Sequence, residues 1–166
     1  MTLKPKVADP IDLSLIALHE PRLKLQKSRI KAAVCVILRE GKFGLEFLMM
    51  QRAHHEDDPW SGQMAFPGGK VDPEDAGPKA AAMREAYEEV GIKLSEKQYV
   101  GRLNDLYGFK LDGVYVAHIA SFVFMLDRPV TIVPNYEVAD TVWLPLDYLE
   151  DPSNFMIYEK PREGIP

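Results

Sequence analysis

The chain has 166 residues, a formal net charge of −5 and a single cysteine. This length fits one domain with enough residues to bury a core. The acidic balance argues against nucleic acid as a partner, because a phosphate backbone needs a basic surface. One cysteine excludes an intrachain disulfide and suits a reducing compartment, and no apolar stretch reaches the roughly 18 residues of a membrane span. We therefore expect a cytoplasmic protein without membrane or nucleic-acid partners.

The first predicted elements are an N-terminal extension and a β-hairpin. Residues 1–28 are predicted to be the extension, with a short helix in DPIDLSLIAL, and a single domain is predicted over 29–166. Two apolar runs, IKAAVCVILRE and GLEFLMMQRA, flank a short glycine-containing turn, a pattern typical of a hairpin. Cys35 lies in the first run, where we expect a buried thiol rather than a nucleophile, because no base partner is visible.

The middle of the chain predicts one strong helix, and the second half predicts strands. KAAAMREAYEEV consists of strong helix formers; Pro78 is placed to begin the helix and Gly91 to end it. QYVGRLNDLYGF, VYVAHIASFVFML and VADTVWLPL follow as predicted strands, and PLDYLED as a short final helix. The order strands, helix, strands, helix favours an α+β fold in which a mixed central sheet carries a helix on each face.

The predicted helix carries a cluster of carboxylates. Three of them fall within one sector of a helical wheel and an apolar stripe lies beside them; the carboxylates are Glu85, Glu88 and Glu89, and the apolar residues are Met83, Ala86, Tyr87 and Val90. Arg84 precedes Glu88 by four residues and can bind that carboxylate. Because clustered carboxylates repel one another, this face is either solvated or a site for a hard divalent cation such as Mg²⁺.

The stretch from Gly69 to Ile92 resembles the Nudix box. That motif reads Gly, five residues, Glu, seven residues, Arg-Glu, an apolar residue, any residue, Glu-Glu, any residue, Gly, apolar. The matching residues here are Gly69, Arg84, Glu85, Ala86, Glu88, Glu89, Gly91 and Ile92. Asp75 occupies the position of the first glutamate, and eight residues rather than seven separate it from Arg84. The strand order around the motif also looks like the Nudix fold, an α/β/α sandwich with the box helix on one face of a mixed sheet.

This resemblance implies a hydrolase that cleaves the pyrophosphate bond of a nucleoside diphosphate linked to another group, with Mg²⁺ or Mn²⁺ as cofactor. It implies catalytic roles for Glu85 and for Arg84, which orients the glutamates. The metal ligands that it implies are the carbonyl of Gly68 and the carboxylates of Glu85, Glu88 and Glu89. Many members take a further glutamate from a distant loop as base or ligand; Glu137 is the candidate here, and its alternative is an ordinary surface carboxylate. Many relatives are dimers, so the resemblance also allows a homodimer.

The residues before the box resemble the coenzyme A pyrophosphatase branch of the family. The residues that fit are Gly62, Phe66, Pro67, Gly68 and Gly69. His54 stands in place of a small residue, Asp58 in place of an arginine and LMM in place of a Leu-Leu-Thr run. Coenzyme A is therefore one candidate substrate; ADP-ribose, NADH and nucleoside triphosphates are others. Arg52 is a candidate phosphate ligand, and Trp60 either contacts a base or pantetheine or covers the core.

The sequence also predicts the environment of three histidines and allows two alternative functions to be weighed. His54 and His55 lie in an acidic loop and are expected at the surface rather than on a metal, and His118 is expected in an alternating strand. An isomerase on the same fold would need a catalytic cysteine in the loop region, where the chain has none. A non-catalytic binding module would be expected to lose box glutamates, which this chain retains. A metal-dependent diphosphate hydrolase is the leading prediction.

Overall fold

The computed structural model describes residues 12–21, 32–42, 44–56, 58, 60–107, 118–149 and 151–156, and the backbone of 110–111 and 114–115. Within these ranges the α-helices are α1 (Ser14–Ala17) and α2 (Pro78–Val90). The strands are β1 (Ala32–Gly41), β2 (Gly44–Arg52), β3 (Met64–Ala65), β4 (Gly68–Lys70), β5 (Tyr99–Arg102), β6 (Leu106–Tyr107), β7 (Lys110–Leu111), β8 (Val114–Tyr115), β9 (His118–Met125) and β10 (Val138–Pro145). Single 3-10 turns span Glu96–Gln98, Leu146–Leu149 and Pro152–Asn154. No helix in these ranges is long and apolar enough to cross a membrane.

One mixed sheet forms the centre of the fold. Its strand order is β10-β2-β1-β9-β5, and β3, β4 and β6 extend it by pairing with β2, β1 and β9. β1 and β2 form the predicted antiparallel hairpin, with Leu38 opposite Phe47, whereas β1 and β9 run parallel, with Cys35 opposite Phe122. β7 and β8 pair with each other in a separate ribbon. The predicted mixed sheet is confirmed.

Both faces of the sheet are covered by apolar residues. Side chains alternate along β1, so Cys35 and Ile37 pack with Val90 of α2 on one face, while Leu38 packs with Ile16 of α1 on the other. Cys35 is thus a buried strand thiol, as predicted, and burial raises the pKa of that thiol. The second face is covered by the four-residue α1 and by the 3-10 turn Leu146–Leu149, where the sequence predicted a short helix over PLDYLED.

The extent of α2 follows from local signals. Pro78 is its first residue. Gly91 follows its last residue with a φ of 72°, a left-handed conformation that favours glycine. The backbone N–H groups of Gly91 and Ile92 donate to the carbonyls of Tyr87 and Ala86, which satisfies the end of the helix. The acidic helix therefore begins and ends where the sequence predicted.

Three sequence predictions were wrong in detail. QYVGRLNDLYGF forms the two strands β5 and β6 rather than one, and Asp105 lies in the break between them. VYVAHIASFVFML is likewise divided between β8 and β9. Tyr87 is 58% exposed and does not belong to the buried stripe of α2, whose buried positions include Ala82 and Glu89 instead. The packing of α2 on the sheet, and not the apolar pattern alone, decides which of its residues are buried.

Gly101 in β5 lies directly against α1. A Cβ at this position would overlap the carbonyl oxygen of Ile16, so alanine forces the two elements apart. We expect Gly101→Ala to speed amide exchange in residues 12–18 by about tenfold, while exchange in β1 and β9 is unchanged. Hydrogen-exchange mass spectrometry measures both regions. Lys97→Ala, a change at an exposed residue of the preceding turn, is the control; unchanged exchange of residues 12–18 in Gly101→Ala would contradict this packing.

Candidate active site

The diglycine strand β4 lies close to both the sheet and the acidic helix. It pairs with the beginning of β1, with Gly68 opposite Val34. A Cβ on Gly68, whose φ is 154°, would overlap the backbone of β1. A Cβ on Gly69 would overlap the carboxylate of Glu85. Gly68 therefore requires glycine, because a side chain there would separate β4 from β1, whereas a side chain at position 69 would displace the carboxylate of Glu85.

Glu89 is a buried carboxylate at the centre of this arrangement. It is 4% exposed, and its Oε2 accepts a hydrogen bond of 2.8 Å from the backbone N–H of Gly68. Burial is the main reason that the pKa of Glu89 rises to about 7; the carboxylates of Glu85 and Glu137 act in the same direction, and the Gly68 N–H opposes the rise. A cation beside Glu89 would therefore stabilise its ionised form.

The other two helix glutamates have different surroundings. Glu85 is partly buried, and burial raises its pKa against the attraction of Arg84. Glu88 is half exposed and accepts a hydrogen bond of 3.0 Å from Arg84, which confirms the predicted contact between these two residues. The three carboxylates differ in burial: Glu89 is buried against β4, Glu85 is partly buried and Glu88 lies at the surface.

Arg84 connects the helix to the loop before it. Its guanidinium donates to both carboxylate oxygens of Asp75, at 3.1 and 3.0 Å, and to the carbonyl of Lys70 at 3.1 Å. The side chain of Asp75 is 7% exposed, and the hydrogen bond from Arg84 is the main cause of its lowered pKa. Asp75 occupies the first-glutamate position of the motif. Its role in holding Arg84 was missed from the sequence, although its position in the motif was the available signal.

A cavity of about 660 Å³ opens beside β4. The predicted site residues that line it are Arg52, Trp60, Gly68, Glu85, Glu89 and Glu137, whereas Arg84 and Glu88 lie outside its wall. Glu137 immediately precedes β10, where its carbonyl accepts a hydrogen bond of 2.7 Å from the N–H of Ala53. The N–H of Asn135 in the same turn donates to the carbonyl of Glu89 at 2.9 Å. The turn that carries Glu137 is therefore fixed to the acidic helix.

The two predicted substrate-binding residues, Arg52 and Trp60, differ in whether the protein already engages their side chains. Arg52 donates from Nε and Nη2 to one oxygen of Asp58, at 3.0 and 2.8 Å, so its charge is already neutralised within the protein. Trp60 is 49% exposed and belongs to neither described core cluster, so it does not cover the core. His54 and His55 are exposed, as predicted, and His55 reaches the cavity wall.

The donor atoms at this cavity suit a hard divalent cation. Among the residues that the structure describes, no three His, Cys, Asp or Glu side chains are already gathered as a metal-ligand cluster. Glu85, Glu89 and Glu137 nevertheless line one cavity, and Glu137 raises the pKa of the other two. A cation between them would remove this repulsion. Because Mg²⁺ and Mn²⁺ prefer carboxylate and carbonyl oxygens, the residues fit the metal that the motif implies.

Comparison with known proteins identifies the class. The family model for the NUDIX domain matches residues 28–162, and the chain therefore belongs to that family. The peroxisomal coenzyme A diphosphatase NUDT7 of Mus musculus is 32% identical over 137 residues, 82% of this chain and 54% of that protein. The uncharacterized Nudix hydrolase NudL of Yersinia pestis is 37% identical over 122 residues, 71% of this chain and 57% of that protein. This chain thus spans about half the length of these curated relatives.

Solved structures share the fold. The NUDIX domain of Shewanella oneidensis NrtR, which was solved with ADP ribose, aligns with a TM-score of 0.57 over 86% of this chain and 88% of that chain. The two sequences are 20% identical, so the likeness speaks for the fold alone. It confirms the predicted α+β Nudix fold, in which the box helix α2 packs on one face of a mixed sheet.

Asp75→Asn removes the charge that holds Arg84. We expect the free energy of unfolding at neutral pH to fall by about 1.5 to 2 kcal/mol, as for a hydrogen bond to a charged group. Because the pKa of Asp75 is lowered in the folded state, its contribution is fully present above the ordinary aspartate pKa of about 3.9 and is lost as the pH falls through the lower folded-state pKa. Urea unfolding measured from neutral to acidic pH should therefore show the wild-type and variant stabilities converging.

Asp72→Asn is the matched control for this experiment. Asp72 also approaches Arg84, at 3.4 Å, but its side chain is 56% exposed. An exposed ion pair of this kind contributes about 0.2 to 1 kcal/mol, so we expect the smaller loss from Asp72→Asn. Equal losses in the two variants would show that Asp75 has no special part in holding Arg84.

Proposed function

We propose that this chain is a metal-dependent hydrolase that cleaves the pyrophosphate bond of a nucleoside diphosphate linked to another group, with coenzyme A as the first candidate substrate. The observation that carries the proposal is the packing of Glu85 and Glu89 against the glycine backbone of β4, at the wall of a cavity. Its volume of about 660 Å³ lies within the range of small-molecule sites, roughly 300 to 1,000 Å³.

The residues of the chain have separate roles in this proposal. Glu85, Glu89 and the Gly68 carbonyl would hold Mg²⁺ or Mn²⁺, and Glu88 would join them on release from Arg84. When bound, the cation supplies charge neutralisation for the diphosphate and activation of water. Arg84 is a positioning residue, since it binds Glu85 at 3.1 Å and Glu88 at 3.0 Å without lining the cavity.

Glu137 is proposed as the base that accepts a proton from the attacking water. It lines the cavity together with Glu85 and Glu89, and its negative charge raises the pKa of both carboxyl groups. The hydrogen bond between Asn135 and the Glu89 carbonyl holds its turn in place. A base positioned in this way typically contributes about a hundredfold or more to the rate.

The proposal also concerns the identity of the substrate, and three further predictions concern the location, the oligomeric state and the N-terminal extension of the protein. The name of the mouse relative supports coenzyme A, and ADP-ribose is the alternative substrate. Trp60, half exposed at the cavity wall, is proposed to contact the base or pantetheine. The cytoplasmic location, the homodimer and the extension over residues 1–28 stay predictions; the mouse relative is named as peroxisomal.

A substrate panel tests the proposed activity. The protein is incubated with Mg²⁺ and, separately, coenzyme A, ADP-ribose, NADH, dinucleoside polyphosphates and nucleoside triphosphates, and the products are separated by chromatography. Cleavage at the pyrophosphate bond of coenzyme A, faster than that of the other compounds, is the expected result. A folded protein that cleaves none of them would favour a non-catalytic binding module.

Glu89→Gln tests the role of the buried carboxylate. We expect turnover to fall by about a hundredfold or more, the loss seen when one stabiliser of transition-state charge is removed. The thermal midpoint should not fall, because the substitution removes a charge that burial disfavours. Glu96→Gln is the control, since Glu96 is an exposed partner of Lys79. Near-normal turnover in Glu89→Gln would refute the assignment.

A further inference from the structure

The loop after β2 contains an ion pair that neither the motif nor the proposed chemistry uses. Arg52, the last residue of β2, donates from Nε and Nη2 to Oδ2 of Asp58, at 3.0 and 2.8 Å. Both residues line the cavity together with Glu85 and Glu89, and both side chains are partly exposed. The part of the wall formed by Arg52, Asp58 and Trp60 is called the Arg52 end of the cavity below.

Hydrogen bonds within the loop hold Asp58 in this position. The backbone N–H of Ser61 donates to the backbone carbonyl of Asp58 at 3.0 Å. The N–H of Trp60 donates to Oδ1 of Asp58 at 3.0 Å, so the second carboxylate oxygen is held as well. The loop then returns to β2, where the N–H of Gly62 donates to the carbonyl of Arg52 at 3.2 Å. The ion pair therefore belongs to a loop whose conformation is fixed by its own hydrogen bonds.

The charges of Arg52 and Asp58 offset each other. The hydrogen bond from Arg52 is the main cause of the lowered pKa of Asp58, so this carboxyl group is ionised at neutral pH. An anionic group that approached Arg52 would also approach the carboxylate bonded to it, and the repulsion would offset the attraction. Glu137 adds a further carboxylate to the same wall, next to Val138, which lies opposite Arg52. The Arg52 end is therefore unfavourable for a phosphate monoester.

Both members of the pair retain hydrogen-bonding capacity. Among the residues that the structure describes, none accepts a hydrogen bond from Nη1 of Arg52. A carboxylate oxygen has two lone pairs, and Oδ1 of Asp58 accepts one described hydrogen bond. Hydroxyl and amide groups can both donate and accept, whereas a fully ionised phosphate only accepts. Trp60, half exposed on the same wall, offers apolar surface to the carbon atoms of such a group.

We propose that Arg52 and Asp58 form a subsite for an uncharged group, bearing hydroxyl or amide functions, that is attached to the diphosphate. Asp58 is the specificity-determining residue, because its charge excludes an anionic group from the Arg52 end. The proposal rests on the proposed function, since it takes the diphosphate to lie beside the glutamates. The pantetheine of coenzyme A and the ribose of ADP-ribose are groups of this kind. Any further phosphate on the substrate would lie away from the Arg52 end.

Binding calorimetry with two symmetric diphosphate analogues tests the subsite. Methylenediphosphonate is anionic at both ends, and its P,P′-bis(2-hydroxyethyl) ester has a hydroxyl group at both ends, so the direction of binding does not matter. Neither compound has a P–O–P bond to cleave. In the presence of Mg²⁺, we expect Asp58→Asn to bind methylenediphosphonate about tenfold more tightly than wild type, because the charge of Arg52 is no longer offset. The same variant should bind the diester about fivefold more weakly, because an amide oxygen is a weaker acceptor than a carboxylate.

A matched variant and a double variant assign the effect to this pair. Asp151 also accepts a backbone N–H, from Ser153, but lies outside the cavity wall, so Asp151→Asn should change neither affinity. Arg52→Gln, added to Asp58→Asn, should return the affinity for methylenediphosphonate to the wild-type value. Because Arg52 and Asp58 are both partly exposed, these variants are expected to fold.

Three results would overturn the subsite: no gain for methylenediphosphonate in Asp58→Asn, a gain that survives Arg52→Gln, or affinities for the two compounds that change in the same direction. A structural disturbance of the loop would produce the last of these, whereas a change of specificity moves the two affinities in opposite directions. Failure of the proposed function would appear separately, as absence of hydrolysis across the substrate panel.

Discussion

The candidate site depends on the hydrogen bonds of the Arg84 guanidinium, because they join three separate parts of the chain. It binds the Lys70 carbonyl at the end of β4, both oxygens of Asp75 in the loop, and Glu88 one turn further along the helix. Asp75 and Glu88 would otherwise add to the repulsion around Glu85. With Arg84 in place, the diglycine strand and the acidic helix keep a fixed relation, and Glu85 lies directly against Gly69.

The same arrangement buries the carboxylate of Glu89, so that water solvates it poorly. Burial raises the pKa of Glu89 to about 7, and its single described stabilising bond comes from the Gly68 N–H. Strongly shifted ionisable groups in a cleft are characteristic of functional sites. Under the proposed function, a cation at this wall would offset the repulsion between the glutamates and a diphosphate in a chain with net charge −5. The proposal therefore links cation binding to substrate binding.

Local signals made much of this predictable. Pro78 and Gly91 delimit α2, and the spacing of Arg84, Glu85 and Glu89 identified the motif, because each feature depends on residues close in sequence. The hairpin of β1 and β2 also follows from its own apolar runs and turn. These elements needed no knowledge of long-range packing.

What the sequence did not predict depends on contacts between distant or irregular segments. The pairing of Arg52 with Asp58 occurs within a loop whose conformation no periodicity specifies. The contact of His118 with Asp105 requires the register between β6 and β9, where Tyr107 lies opposite His118. The buried face of α2 also depends on long-range contacts, because only the packing of α2 on the sheet decides that Glu89 is buried and Tyr87 exposed.

Anomalous diffraction from crystals soaked in Mn²⁺ tests most directly whether the buried helix carboxylates form a cation site. The account predicts a manganese peak inside the cavity, directly coordinated by oxygens of Glu85 and Glu89. A cavity without a peak, in crystals where these two carboxylates point away from each other, would contradict it.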